Sequence, residues 1–336
     1  MQRLKLANIG CGNHSWASIQ PGLVRVEEYD WVAACDLDPA RLGRTADRFN
    51  VRPYSDFREM IAQEQPDVVL VIGPPAIHHE IGLAVLGLGC HLIVEKPPAL
   101  SAAAARELVD AAHAAGRMGA VSTHWRHAPA HRRMKELMER PEFGRPTFYE
   151  GRFHAWGPQG PGRFPTTFQA YLFDQGVHLV DCTRFLMGDI REVFAWGHEG
   201  KDGAIGITVS LRFASGAVGQ LAMASCSPAL DHYTDVHGDG RQRLRVIQHD
   251  TLEASGVPPW LGQGGYADAS TQTWRPGTTA GTMAAKSPYV EEHRHFAQAL
   301  LAGEQPRASL TDGWQALRVL EAIAESLRTG GPAVPA

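Results

Sequence analysis

Two charged residues and a proline, Glu95-Lys96-Pro97, close the apolar run from Cys90 to Val94. An apolar run of that length reads as a buried parallel strand, and ligands of open α/β sheets bind at the carboxyl ends of such strands. Pro97 and Pro98 stiffen the backbone that would hold Lys96 near reacting groups. A second set lies in Asp174-Gln175-Gly176-Val177-His178-Leu179-Val180-Asp181. On a helix, Asp174 and His178 are four apart and share a face, and Asp181 follows nearly above them. A carboxylate beside an imidazole orients the ring and raises its pKa for acid–base work. The apolar Leu172, Val177, Leu179, Phe185 and Leu186 around them place His178 at least partly in the interior.

A third set opens the chain. Gly10-Cys11-Gly12-Asn13-His14-Ser15 follows a first strand and precedes a helix, where glycines permit a tight turn and let a pyrophosphate approach backbone N–H groups. Ser15 stands at the third glycine position and is small enough for close helix packing. Asp36 closes the second strand, where an acid grips the adenosine ribose and repels a 2′-phosphate, so NAD is expected over NADP. Two smaller signals lie between. In Pro74-Pro75-Ala76-Ile77-His78-His79-Glu80, one histidine either faces the cofactor or is merely solvated. In His124-Trp125-Arg126-His127-Ala128-Pro129, Arg126 either binds a carboxylate or pins a contact between domains. His124, His127 and His131 lack the spacing of a metal motif, and no metal is expected.

These residues need elements to hold them. Runs at 4–9, 31–35, 67–72 and 90–94 alternate with helical patterns, one opened by Asp38 and Pro39 and continued by Arg41. Another starts at Ser101 and ends at Gly116, ahead of a strand over 118–123. This alternation predicts a doubly wound parallel sheet over 1–123. Strand candidates at 147–154, 191–197, 204–213 and 217–225 predict an α+β domain with an open, mainly antiparallel sheet over 124–310. One helix, about 173–187, interrupts it, and a C-terminal helix in 311–336 packs back on the body. The Gly-, Pro-, Ser- and Thr-rich stretch 255–288 reads as a long loop over the sheet, whose Trp260, Tyr266 and Trp274 line either a sugar site or a subunit contact.

Composition removes other classes. The chain has 336 residues, enough for two domains, and a net charge of -4 leaves no basic field for nucleic acid. No apolar stretch approaches the roughly 20 residues of a membrane span. Five scattered cysteines, mostly inside apolar runs, read as reduced, buried thiols and point to the cytoplasm.

Taken together, G-C-G-N-H-S at 10–15, Asp36, P-A-I-H-H-E at 75–80, E-K-P at 95–97, R-H-A-P at 126–129 and D-Q-G-V-H-L-V-D at 174–181 resemble the Gfo/Idh/MocA oxidoreductases over nearly the whole length. The resemblance implies NAD-dependent oxidation or reduction of a secondary hydroxyl or carbonyl on a sugar, polyol or related molecule. It implies Lys96 and His178 at the substrate carbon with Asp174 assisting, and a cis bond before Pro97. It further implies cofactor contacts from Gly10, Gly12, Asn13, His14, Ser15, Asp36, Arg41, Pro75, His79, Glu95 and Lys96. Substrate contacts are expected from His124, Arg126, Trp156, Asp174 and His178, and a homodimer or homotetramer from the second sheet. Related proteins of this fold hydrolyse glycosides through bound NAD or act as non-catalytic sensors, and both stand as alternatives. Phe168-Gln169-Ala170-Tyr171, where family members commonly carry glycines, and Ala76, where asparagine is frequent, leave the particular substrate open.

Overall fold

The computed structural model describes residues 3–157, 160–162, 164–256, 269–276 and 288–335. It divides into two units, Met1–His124 with Thr279–Leu317, and Trp125–Thr278 with Arg318–Ala336. In the first unit, β1 (Leu4–Ile9), β2 (Tyr29–Cys35), β3 (Arg52–Tyr54), β4 (Val68–Val71), β5 (His91–Glu95) and β6 (Gly119–Ser122) form a sheet ordered β3-β2-β1-β4-β5-β6. Every pair in it is parallel. The four residues of β4 are all buried, as both faces of a parallel sheet covered by helices require.

The connecting helices are α1 (Gln20–Leu23), α2 (Pro39–Phe49), α3 (Phe57–Glu64), α4 (Pro75–Gly87) and α5 (Ala102–Ala114). Their starts follow from the sequence. The Asp38 side chain accepts from the N–H groups of Ala40 and Arg41, and the Ser101 side chain accepts from that of Ala104. Chain direction across the sheet reverses between β1 and β4, which opens a crevice at their carboxyl ends.

The second unit opens with α6 (Pro129–Met138), followed by β7 (Pro146–Trp156), α7 (Thr167–Tyr171) and α8 (Val177–Met187). Then come β8 (Ile190–Glu199), β9 (Ile205–Phe213), β10 (Val218–Ala224), β11 (Cys226–Gly238), β12 (Gln242–Ile247), β13 (Thr251–Gly256) and β14 (Ser270–Trp274). The sheet order is β14-β13-β12-β11-β7-β10-β9-β8, antiparallel except between β7 and β10. Along β9 the burial alternates strictly, so one sheet face is packed and the other open.

Three expectations are corrected here. Residues 255–288 were expected to be loop, yet β13 runs to Gly256 and β14 adds an edge strand that carries the exposed Trp274; Trp260 and Tyr266 lie outside the described residues. The expected domain 124–310 loses its final helix. The helix α9 (Pro288–Ala302) belongs to the first unit, because its Val290, Phe296 and Ala297 share a core with Leu4, Leu6, Ile19 and Leu70. The last helix, α10 (Leu310–Thr329), places Leu310 in the other core of that unit. Finally, four cysteines are buried but Cys226 is exposed at the start of β11.

Candidate active site

At the β1/β4 crevice, the glycine turn leaves no latitude in the backbone. Gly10 has φ +101°, and a Cβ there would stand 1.7 Å from the carbonyl oxygen of Ile72. Only glycine lets the two strand ends approach so closely. Gly12 differs, since a Cβ there would meet nothing within 4 Å. The space beside it belongs to a cavity of about 600 Å³ that Gly10, Gly12, Asp36, Arg41, Gly73 and Ile77 help to line.

The Asp36 carboxylate is set in place by backbone donors. Its Oδ2 accepts from the Cys11 N–H at 2.6 Å and its Oδ1 from the Asp38 N–H at 2.8 Å. Each carboxylate oxygen has a second lone pair for a ribose hydroxyl. Arg41, on the same wall, lies 3.1 Å from the Asp38 carboxylate.

A second cluster gathers at the ends of β5 and β6, and the Lys96–Pro97 peptide within it is cis. Glu95 is buried and its Oε1 lies 3.7 Å from His14 Nε2. Burial alone would raise the Glu95 carboxyl, but the hydrogen bond and charge of His14, with Lys96 and His78, hold it down to about 2. His78 Nε2 accepts from the Gly73 N–H at 3.1 Å, so its Nδ1 carries the proton and donates to the Pro97 carbonyl at 2.8 Å. That imidazole straps the turn after β4 to the turn after β5.

His124 stacks on Tyr289 of α9 with ring centroids 4.2 Å apart. Burial pushes its pKa down to about 3; Glu95 opposes this, while Lys96 and His14 add to it. Neutral His124 can accept or donate one hydrogen bond to a ligand hydroxyl.

In the second unit, α7 and α8 are joined by one π-helical turn, Leu172–Gly176, which contains Asp174. Such wide turns recur at functional sites. His178 follows on α8 and is 7% exposed, with Trp125 stacked at 5.2 Å and 16° to its ring. Trp156, at the end of β7, is 69% exposed.

Several expected contacts fall elsewhere. Arg126 was expected to meet substrate, yet it sits in the short turn His124–His127 and grips Asp181 through two nitrogens, with Nε to Oδ2 at 2.8 Å. Both residues are buried, at 2% and 1% exposed. The carboxylate Arg126 binds is the protein's own Asp181. His79, expected at the cofactor, bonds Glu107 of α5 at 2.9 Å. Of the expected cofactor residues, Gly10, Gly12, Asp36 and Arg41 line the cavity; Glu95, Lys96 and His14 form the second cluster; Asn13, Ser15 and Pro75 stand in neither. Pro74 and Gly73 take the place read for Pro75 on the wall.

Sequence reasoning missed Trp125 and Tyr289, and it left His78 as either facing the cofactor or solvated, whereas the structure buries it. Trp125 adjoins flagged residues and could have been found by that adjacency. Tyr289 comes from a distant helix and carried no signal.

Comparison with known proteins agrees with the two-unit division. The family model described as oxidoreductase family, NAD-binding Rossmann fold, matches residues 4–123, and that of the GFO/IDH/MocA C-terminal domain matches 131–242. The chain is 27% identical to the D-apiose dehydrogenase of Paraburkholderia graminis, covering 98% of this chain and 89% of that protein. It is 28% identical to the inositol 2-dehydrogenase of Rubrobacter xylanophilus, over 98% and 93%. Levoglucosan dehydrogenase, solved with NADH and L-sorbose, has the same fold, with a TM-score of 0.87 at 20% identity over 100% of both chains.

Proposed function

This chain belongs to the Gfo/Idh/MocA oxidoreductase family, and on that premise we propose that it is an NAD-dependent dehydrogenase of a secondary hydroxyl on a sugar, polyol or sugar derivative. The observation that carries the reading is the Gly10–Gly12–Asp36 cavity, in a unit that also presents Lys96 on a cis peptide beside buried Glu95 and neutral His124. The cavity fits the cofactor: Gly12 has the open space a pyrophosphate needs, and Asp36 has the acceptors a ribose needs. NAD is favoured over NADP because the Asp36 carboxylate would repel a 2′-phosphate and Arg41 is drawn to Asp38.

A nicotinamide held by this cavity would supply the hydride acceptor for the substrate carbon. His178 takes the hydroxyl proton, its ring plane set by Trp125. Asp174 assists His178, and Lys96 donates to the oxygen as negative charge develops there. His124 and the exposed Trp156 supply contacts to the rest of the sugar. A homodimer or homotetramer through the open face of the eight-stranded sheet and a cytoplasmic location complete the reading. No described helix is long and apolar enough to cross a membrane.

The test is a panel of sugars, inositols and sugar acids with NAD and NADP supplied separately, following NADH or NADPH absorbance. Substrate-dependent NADH formation that drops by about 10²–10⁴ in both Lys96→Ala and His178→Ala, with NAD affinity retained, supports the assignment. Near-normal turnover in both variants, or cleavage of chromogenic glycosides without net NADH, overturns it.

A further inference from the structure

Three histidines that the proposed chemistry leaves unused converge inside the second unit. His131 lies on α6, His232 on β11 and His249 in the turn between β12 and β13. One ring nitrogen from each lies within 4.8 Å of the others. From this convergence we propose that His131, His232 and His249 form a binding site for a divalent transition-metal ion of the zinc type.

The geometry argues for a ligand set more than for ordinary core packing. His232 is 0% exposed, and neither of its ring nitrogens has a hydrogen-bond partner among the described residues. A buried imidazole left in that state costs free energy that a metal bond would offset. His249 has φ +67°, beside Gln248 at φ +51°, in the three-residue turn that returns β12 to β13. Rings of His232 and His249 stack 4.0 Å apart, so their nitrogens are presented side by side, and His131 approaches each at 5.5 Å between centroids.

The chemistry selects the ion. Each of the three residues offers one imidazole nitrogen. Three imidazole nitrogens suit zinc, copper, nickel or cobalt and not magnesium or calcium, which take oxygen. Around a tetrahedral ion with bonds of about 2.0–2.1 Å, ligand nitrogens stand about 3.4 Å apart, so closure asks each ring to move by roughly 1 Å and the stacked His232 and His249 rings to turn apart until their lone pairs converge. His249 is only half-buried, and with three protein ligands a tetrahedral ion would keep its fourth position open to water. Trp125 covers the trio at 4.3 Å from His232 and 4.5 Å from His249, on the helix-to-strand corner that also stacks against His178. The ion would tie α6 to the β11 and β12 strands behind that tryptophan.

The experiment uses the full chain after chelator treatment, with cobalt(II) as a visible-absorption probe and zinc as competitor. Expected are one cobalt per chain with tetrahedral absorption bands, displacement by zinc, and a zinc-dependent rise in melting temperature. His249→Gln, on a turn, should preserve the fold by circular dichroism while weakening cobalt binding by at least about tenfold. His131→Gln serves as a second ligand variant with the same expected loss. Absence of cobalt bands and of any zinc effect on melting overturns the site. So does unchanged binding in both variants, which would put the ion on other histidines. Neither readout involves NAD or turnover, so failure here leaves the dehydrogenase reading standing, and the converse also holds.

Discussion

Asp181→Asn leaves side-chain shape almost unchanged but removes the carboxylate charge that the Arg126 guanidinium, 2% exposed, grips. One charge-assisted bond becomes a bond to a neutral amide oxygen, the other is lost because the amide nitrogen donates and cannot accept, and the cation stays in the interior. Removing one partner of a buried pair costs about 3–5 kcal/mol, mostly through the charge left behind. For a unit of roughly this size, each kcal/mol shifts melting by about 2–4 °C, so a fall of about 6–20 °C is expected. Arg126→Met should fall by a similar amount. The double variant Arg126→Met/Asp181→Leu fills the same space without charge and should recover most of the loss, since apolar replacement of a buried pair is often neutral or better. Scanning calorimetry on the four proteins compares these losses, and KM for neutral sugars and for sugar acids is measured alongside. Single variants that melt within about 2–4 °C of wild type, close to 1 kcal/mol, would refute the pairing. A double variant that is stable yet loses only carboxylated substrates would return Arg126 to the substrate site.

Gly12→Ala should melt as wild type does, because its Cβ meets nothing within 4 Å, yet bind NAD at least about tenfold more weakly by calorimetry. Gly10→Ala should instead lose stability through the Ile72 carbonyl, and the reverse order of effects would move the cofactor seat elsewhere. Glu95 is held near 2, below its usual 4.5, so its contribution to stability is full above pH 4.5 and is lost as pH falls toward 2. Melting of Glu95→Gln should therefore be flatter than wild type over the acid limb, and parallel curves would exclude Glu95 as a cause. Burial pushes His124 to about 3 and His293 to about 4, so the folded state declines protons that the unfolded chain accepts below 6.5. Their stabilising contribution is full above pH 6.5 and falls with pH below it; nuclear magnetic resonance titration should find both rings neutral at pH 5.5, and protonation of either there would contradict the burial.

Local chemistry made the elements legible without a structure. The all-apolar β4, the Asp38 and Ser101 caps and the strand–helix alternation each arise from neighbours in sequence, and the glycine turn, Asp36, Lys96 and the Asp174–His178 spacing stand within or beside those elements. A residue's type also signals what it can do, which is why carboxylate, imidazole and ammonium were found before their surroundings were known. What each group touches is set by chain segments far away, and there only the tertiary structure decides. Arg126 meets Asp181 across 55 residues, His124 meets Tyr289 from a returning helix, and His131 on α6 meets His232 within β11 and His249 in the β12–β13 turn. None of these partners lies within reach of a periodicity or a spacing rule, because packing of whole elements, and not local sequence, brings them together.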